Sequence, residues 1–156
     1  MANPDPARPL RLDFDTSVAF LLSSLANKLS ITASRRLRRR LQVGLMEWRC
    51  LVLLAVEGQA TPARIAQVAG VDKSVVSRSV SALERRGLVQ VCASPTGRQT
   101  RVEMTAEGLA LHDKGIPDSF ERESGLLEGL SESERATLIA LLKRLTTNVS
   151  GLAEAP

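Results

Sequence analysis

Tyrosine is absent from this chain of 156 residues, tryptophan occurs once, and aromatic residues make up only 3% of it. A platform for single-stranded nucleic acid stacks successive bases on aromatic rings, so that class of binder is excluded. Cysteine occurs twice, at Cys50 and Cys92, far apart and in no metal-ligand spacing. Histidine occurs once, at His112, and the chain holds no Ser/His/Asp or Cys/His neighbourhood and no glycine-rich phosphate loop. An enzyme is therefore not expected, and neither a metal nor a cofactor is called for. With no signal peptide and no long apolar run, the chain reads as cytoplasmic and reduced, with no membrane partner.

What is present is enough hydrophobic content, 44%, for a real core, and a charge that is unevenly laid out. The formal net charge is +4. Residues 35–104 hold thirteen Lys and Arg against five acids, whereas from Thr105 onward five cations face nine acids. A basic half joined to an acidic half is the footprint expected when one part of a chain faces phosphates and the other does not.

Within the basic half, residues 61–89 read as two short helices around a tight turn. Thr61 suits an N-cap and Pro62 the first helical position, where a missing N–H costs nothing. Gly70 can end that helix in a left-handed conformation, and Asp72 can cap the next. On the second helix Val76, Val80 and Leu83 recur at helical spacing and should face inward, leaving Lys73, Ser74, Ser77, Arg78 and Ser81 outward. Short donors and acceptors with cations are what an α-helix in a major groove needs; they also describe an ordinary solvated face. The residues that follow favour the groove. LVQVC at 88–92 and TRVEM at 100–104 are strand formers separated by a loop holding Pro95, Gly97 and Arg98. A helix-turn-helix followed by such a hairpin is a winged helix, and an arginine at the wing tip can enter a minor groove.

The flanks are helical. Phe14, Val18, Leu21, Leu22, Leu25 and Leu29 form one stripe of a helix expected to begin near Asp13 or Asp15 and run to about Arg40, ending in RRLRRR. A helix over 45–56 should turn Trp48, Leu51, Leu54 and Ala55 inward. After the wing, Thr105 should cap a helix that bends or stops at Pro117, and Ser131 with Glu134 forms a capping box for the last one. The organisation read from this is a disordered arm over 1–10, a winged helix-turn-helix lobe over 43–104, and a helical dimerisation region over 11–42 and 105–152. The apolar faces of the flanking helices exceed what a lobe of about 70 residues can cover, so a second copy of the chain is the natural partner.

Several of these residues, in this order and spacing, resemble the MarR-type (multiple antibiotic resistance regulator) winged-helix transcription factors. Trp48-Arg49 resembles the family's Trp-Arg, and Ile65-Ala66 its Ile-Ala. Asp72, Ser74, Val76, Ser77 and Arg78 resemble the opening of its recognition helix. Leu83, Glu84, Arg86, Gly87, Leu88 and Val89 match its Leu-Glu-x-(Arg/Lys)-Gly-Leu-(Val/Ile), and Met104, Thr105 and Gly108 are similar to its Leu-Thr-x-x-Gly. Two positions depart from the pattern. Thr96 stands where the wing usually has Asp, so Arg98 is less preorganised, and Arg64 stands where a Glu commonly closes a capping box.

The resemblance implies a mainly α fold with a small β-hairpin wing and N- and C-terminal dimerisation helices. It implies a sequence-specific regulator of transcription: a homodimeric repressor on an inverted repeat of double-stranded DNA, released by a small aromatic or anionic effector. On this reading Ser74, Val75, Ser77 and Ser81 lie near base edges, Lys73, Arg78 and Arg86 near phosphates, and Arg98 in the minor groove. Trp48, Arg49 and His112 are the candidates to line an effector crevice, set against plainer roles as core, ion pair and surface residue. Two alternatives stay open: a winged helix that binds protein partners and no DNA, and a thiol-based redox sensor using Cys50 or Cys92.

Overall fold

The computed structural model describes residues 13–93 and 100–152. The arm expected over 1–10, the wing tip with Thr96 and Arg98, and the tail after Leu152 lie outside the described residues. Helix α1 (Val18–Leu41) begins later than Asp13 or Asp15. The reason is local: the Asp13 carboxylate accepts from the Asp15 amide at 3.0 Å and its carbonyl from the Ser17 amide at 2.9 Å. Those bonds make a turn, and Ser17 then caps the helix. Ala33, Leu37 and Leu41, four residues apart, are the buried side chains of α1. The stripe of Phe14, Val18, Leu21, Leu22 and Leu25 is exposed.

Helix α2 (Leu45–Glu57) buries Trp48, Cys50, Leu51, Leu53 and Leu54. Ala55, expected inward, is exposed. Ala55 shares the helical face of Trp48 and Leu51 but lies in the last turn of α2, where residues 55–58 are all exposed. Gly58, with φ +75°, ends the helix, and a two-residue strand absent from the sequence reading follows, β1 (Gln59–Ala60). Helices α3 (Pro62–Ala69) and α4 (Lys73–Arg85) come next, then β2 (Val89–Ala93) and β3 (Thr100–Met104). The antiparallel sheet has the order β1-β3-β2, with Val89 opposite Met104 and Ala93 opposite Thr100. Strand β2 starts one residue later than expected because the Leu88 amide still bonds the Leu83 carbonyl at 3.0 Å.

Helix α5 (Ala106–Leu126) runs through Pro117 without stopping there. A proline removes one donor from the ladder, and helical turns on both sides of it carry the loss. After Leu126 the chain turns through Gly129, at φ +84°, into α6 (Glu132–Leu152). The capping box is present: the Ser131 amide donates to Glu134 at 2.8 Å and the Glu134 amide to the Ser131 hydroxyl at 3.3 Å. Arg135 donates to the carbonyls of Leu130 and Leu127 at 3.1 and 3.2 Å, satisfying acceptors that the helix end leaves open. Among the described residues, no helix is long and apolar enough to cross a membrane.

The residues fall into two compact units that divide between Lys114 and Gly115. The core of the first contains Val43, Cys50, Leu51, Leu54, Ile65, Val76, Leu83 and Val102, all fully buried. One close approach holds this unit's hairpin to the start of α5. Gly87, with φ +68°, turns the chain out of α4, and the Leu88 carbonyl accepts from the Thr105 amide at 3.2 Å. The Thr105 hydroxyl donates to the Gly87 carbonyl at 2.7 Å and accepts from the Gly108 amide at 3.1 Å. A Cβ on Gly108 would fall on the Leu88 carbonyl oxygen and within 2.8 Å of Met104 Cγ. Backbone cannot move aside as a flexible side chain can, so Gly108→Ala should lower stability by about 1–3 kcal/mol. Urea denaturation checks this, and a midpoint equal to wild type would show that the approach tolerates a methyl group.

Candidate nucleic-acid interface

The turn between α3 and α4 is set by hydrogen bonds at both of its ends. Thr61 accepts from the Arg64 amide at 3.1 Å, with Pro62 at the first helical position. Gly70 closes α3 at φ +65° and ψ +39°, and its amide bonds the Ala66 carbonyl. Asp72 then caps α4 by accepting from the Ser74 amide at 2.7 Å. Hydrogen bonds from the Ser74 hydroxyl and amide hold the Asp72 carboxyl below the usual carboxylate range, and the charges of Arg78 and Lys73 add to this. The cap is therefore complete above the ordinary carboxylate pKa and lost only as pH falls through the lowered one.

On α4, Val76, Val80 and Leu83 are buried and Lys73, Ser74, Ser77, Arg78 and Ser81 are exposed. Val75 is half-buried. The outward face is thus a row of hydroxyls with a cation near each end of the first two turns. The Ser74 hydroxyl, exposed at the start of this face, can donate or accept.

Two arginines of the basic half point back into the protein. Arg64, where the helix start lacks the Glu of a capping box, makes a two-pronged pair with Glu57, at 2.7 Å from Nη2 and 3.0 Å from Nε to Oε1. Gln67 accepts from its Nη1 at 3.4 Å. Arg86 caps the end of α4 and donates through Nη1 to the Gln42 carbonyl at 2.9 Å. The Glu47 carboxylate lies 3.5 Å from the same nitrogen. Sequence periodicity does not reveal these partners, because Gln42 is 44 positions away and contributes only its main chain. Arg98 lies outside the described residues, and Arg101 is half-buried on β3, opposite Cys92.

Of the effector candidates, Trp48 and His112 are brought together. Their rings stack with centroids 5.8 Å apart and planes 16° apart. Trp48 is 5% exposed and the His112 side chain 12%, with His112 Nδ1 3.0 Å from Asp113. Arg49, one step further round α2, is exposed. Cys92 is half-buried on β2, and Cys50 is wholly inaccessible. Burial, aided by the negative charge of Glu47, pushes the Cys50 thiol from an ordinary 9.0 up to about 12.

This arrangement has close counterparts. A MarR/EmrR family transcriptional regulator from Acinetobacter sp. ADP1 superposes with a TM-score of 0.85 at 29% identity, over 90% of this chain and 99% of that one. The sequence model of the MarR family matches residues 41–99, the stretch that holds α2, the helix-turn-helix and the first wing strand. Over those residues the chain is similar to the MarR family. The relatives it matches are transcriptional regulators, not enzymes. One is the HTH-type transcriptional repressor NicR of Pseudomonas putida, 29% identical over 96 residues that span 61% of either protein. The MarR fold is shared as well by MepR of S. aureus, solved as a complex with DNA, with a TM-score of 0.76 at 19% identity over 88% of this chain and 99% of that one.

The thiol geometry gives a direct test of redox chemistry in this chain. A thiolate is the reactive form, and Cys50 stays protonated far above neutral pH. In native protein at pH 8, a thiol-specific reagent should leave Cys50 unmodified until denaturant is added, with Cys50→Ser removing that late-reacting thiol. The unfolded chain releases the Cys50 proton near 9.0 and the native one near 12, so the group is neutral for stability below about pH 9 and disfavours the native state increasingly from there to 12. Rapid labelling of Cys50 or of half-buried Cys92 in the folded protein would favour the redox-sensor reading, and denaturant-dependent labelling of both would remove it.

Proposed function

We propose that this chain is a MarR-type, sequence-specific, double-stranded-DNA-binding repressor that acts as a homodimer on an inverted repeat and is released by a small effector. The observation that carries the DNA reading is the face of α4. Its inner side is anchored by Val76, Val80 and Leu83, and its first turn is capped by Asp72, so Lys73, Ser74, Ser77, Arg78 and Ser81 are presented on a rigid rod. A major groove admits one helix, and such a rod fits it. Lys73 and Arg78 then lie against phosphates. Ser74, Val75, Ser77 and Ser81 face base edges. Ser74, whose hydroxyl can donate or accept, serves either kind of base edge. Arg98, from its place in the sequence, reaches the minor groove.

A second copy is called for by apolar surface in both units. The first half of α1 leaves Val18, Phe20, Leu21 and Leu25 open, and α6 leaves Leu138, Ile139, Leu141, Leu142, Leu145 and Val149. Contiguous apolar surface of this kind on a water-soluble helix marks a contact between chains. Two-fold symmetry would set the two recognition helices about one DNA turn apart, which demands a palindrome. NicR is named a repressor, which favours that outcome here. For release, exposed Arg49, next to the buried Trp48 that stacks on His112, supplies a cation suited to an anionic or aromatic effector whose entry would have to part that stack.

Fluorescence-anisotropy titration against the DNA upstream of the protein's own gene, at two salt concentrations and with competitor, tests the proposal. Wild type should bind one palindrome tightly and with steep salt dependence. Arg78→Ala should weaken binding to every sequence and lower the slope of log K against log salt by about 0.9 per dimer-half contact. Ser74→Ala should instead alter the preference among half-site sequences. Equal binding by both variants would place a different face of the chain on DNA.

A further inference from the structure

We infer that Arg86 is a positioning residue, a clasp that seats the C-terminal end of the recognition helix on the joint between α1 and α2, and not a phosphate contact. The inference rests on the DNA-binding reading of α4. Three observations converge on it. Gln42 is the single non-glycine residue with positive φ among the described residues, at φ +56° and ψ +31°, a conformation that glutamine adopts at a cost. Its carbonyl accepts from Arg86 Nη1 at 2.9 Å, a charge-assisted bond that compensates for that strain. Five residues on, the Glu47 carboxylate uses one oxygen both to cap α2, from the Gly44 amide at 3.0 Å, and to face Arg86 at 3.5 Å.

The geometry makes one residue serve three helices. Arg86 is the C-cap of α4, Gln42 the C-cap of α1, and Gly44 the N-cap of α2. The opposite end of α4 is already held by Asp72, so the clasp is what fixes the direction of the rod from its far end. A helix that lies in a groove is sensitive to direction, because a tilt displaces every base-edge contact along it at once. The cost of losing the clasp therefore falls on binding, evenly across sequences and without loss of a phosphate neutralised.

The test compares Arg86→Ala and Arg86→Lys with wild type by DNA titration over a salt series and by amide hydrogen exchange of the free protein. Arg86→Ala should bind DNA about tenfold more weakly at every salt concentration, with the salt slope unchanged, a difference of about 1.4 kcal/mol. Exchange should quicken at the last turn of α4 and around Gln42, and Arg86→Lys, which can still donate to the Gln42 carbonyl, should recover part of both. A slope reduced by about 0.9 with exchange unaltered would make Arg86 a phosphate contact and overturn the inference. Unchanged affinity would overturn it too. Should Arg86→Ala fail to fold, Arg86→Gln, which removes the charge but keeps an amide donor, carries the same comparison of slope and exchange. Absence of DNA binding by wild type would instead remove the regulator reading, and exchange in the free protein would then decide the clasp by itself, with unaltered rates counting against it.

Discussion

The contact on which the DNA-binding unit depends is the approach of α5 to the main chain of Leu88. At that point the end of α4, the start of β2, the end of β3 and the start of α5 share a few atoms: two carbonyls, one hydroxyl and two amides. A glycine without Cβ is needed at position 108 for the backbones to meet. Once they meet, the hairpin has a fixed root, and α4 leaves it in one direction. The two sequence signatures that gave the family resemblance, around Gly87-Leu88 and Thr105 to Gly108, turn out to be the two sides of this one contact. They are separated by the whole wing in sequence and by a hydrogen bond in space.

That explains which parts of the fold were legible in advance. Thr61, Pro62, Gly70, Asp72 and the Ser131–Glu134 box act within three or four residues, so their signals are complete in the local sequence. The inward and outward faces of α4 followed from helical period alone. What was missed depends on distant or main-chain partners. The late start of α1 reflects competition from Asp13, β1 is too short to show alternation, and Ala55, though on the buried face of α2, lies in its last turn, where residues 55–58 are all exposed. Pro117 was read as a bend or stop because a single lost bond looks larger in sequence than it is within a helix of 21 residues. Of the candidate site, the face of α4 was legible, whereas the engagement of Arg86 with a carbonyl 44 positions away was not.

Charge counting carries the same lesson. The basic half has an excess of cations, yet Arg64 sits on Glu57 and Arg86 on Gln42 and Glu47. An exposed pair such as Arg64–Glu57 contributes little to stability, but it removes a cation from the field seen at long range. Pairing thus lowers the positive charge available at long range below what the composition suggests, while Lys73 and Arg78 at the start of α4 are exposed. Asp72 sits inside that region, and its carboxylate is tied to Ser74, which limits the repulsion it would exert on a nearby phosphate.

The stack of Trp48 on His112 has a spectroscopic consequence. In a chain with no tyrosine, Trp48 is the source of essentially all near-ultraviolet emission, and the ring packed on it belongs to the sole imidazole in the sequence. Protein of natural sequence thus carries an intrinsic optical probe at the seam between α2 and the first half of α5. Any ligand or DNA that shifts one helix against the other changes the surroundings of one fluorophore, so such shifts can be followed without a label.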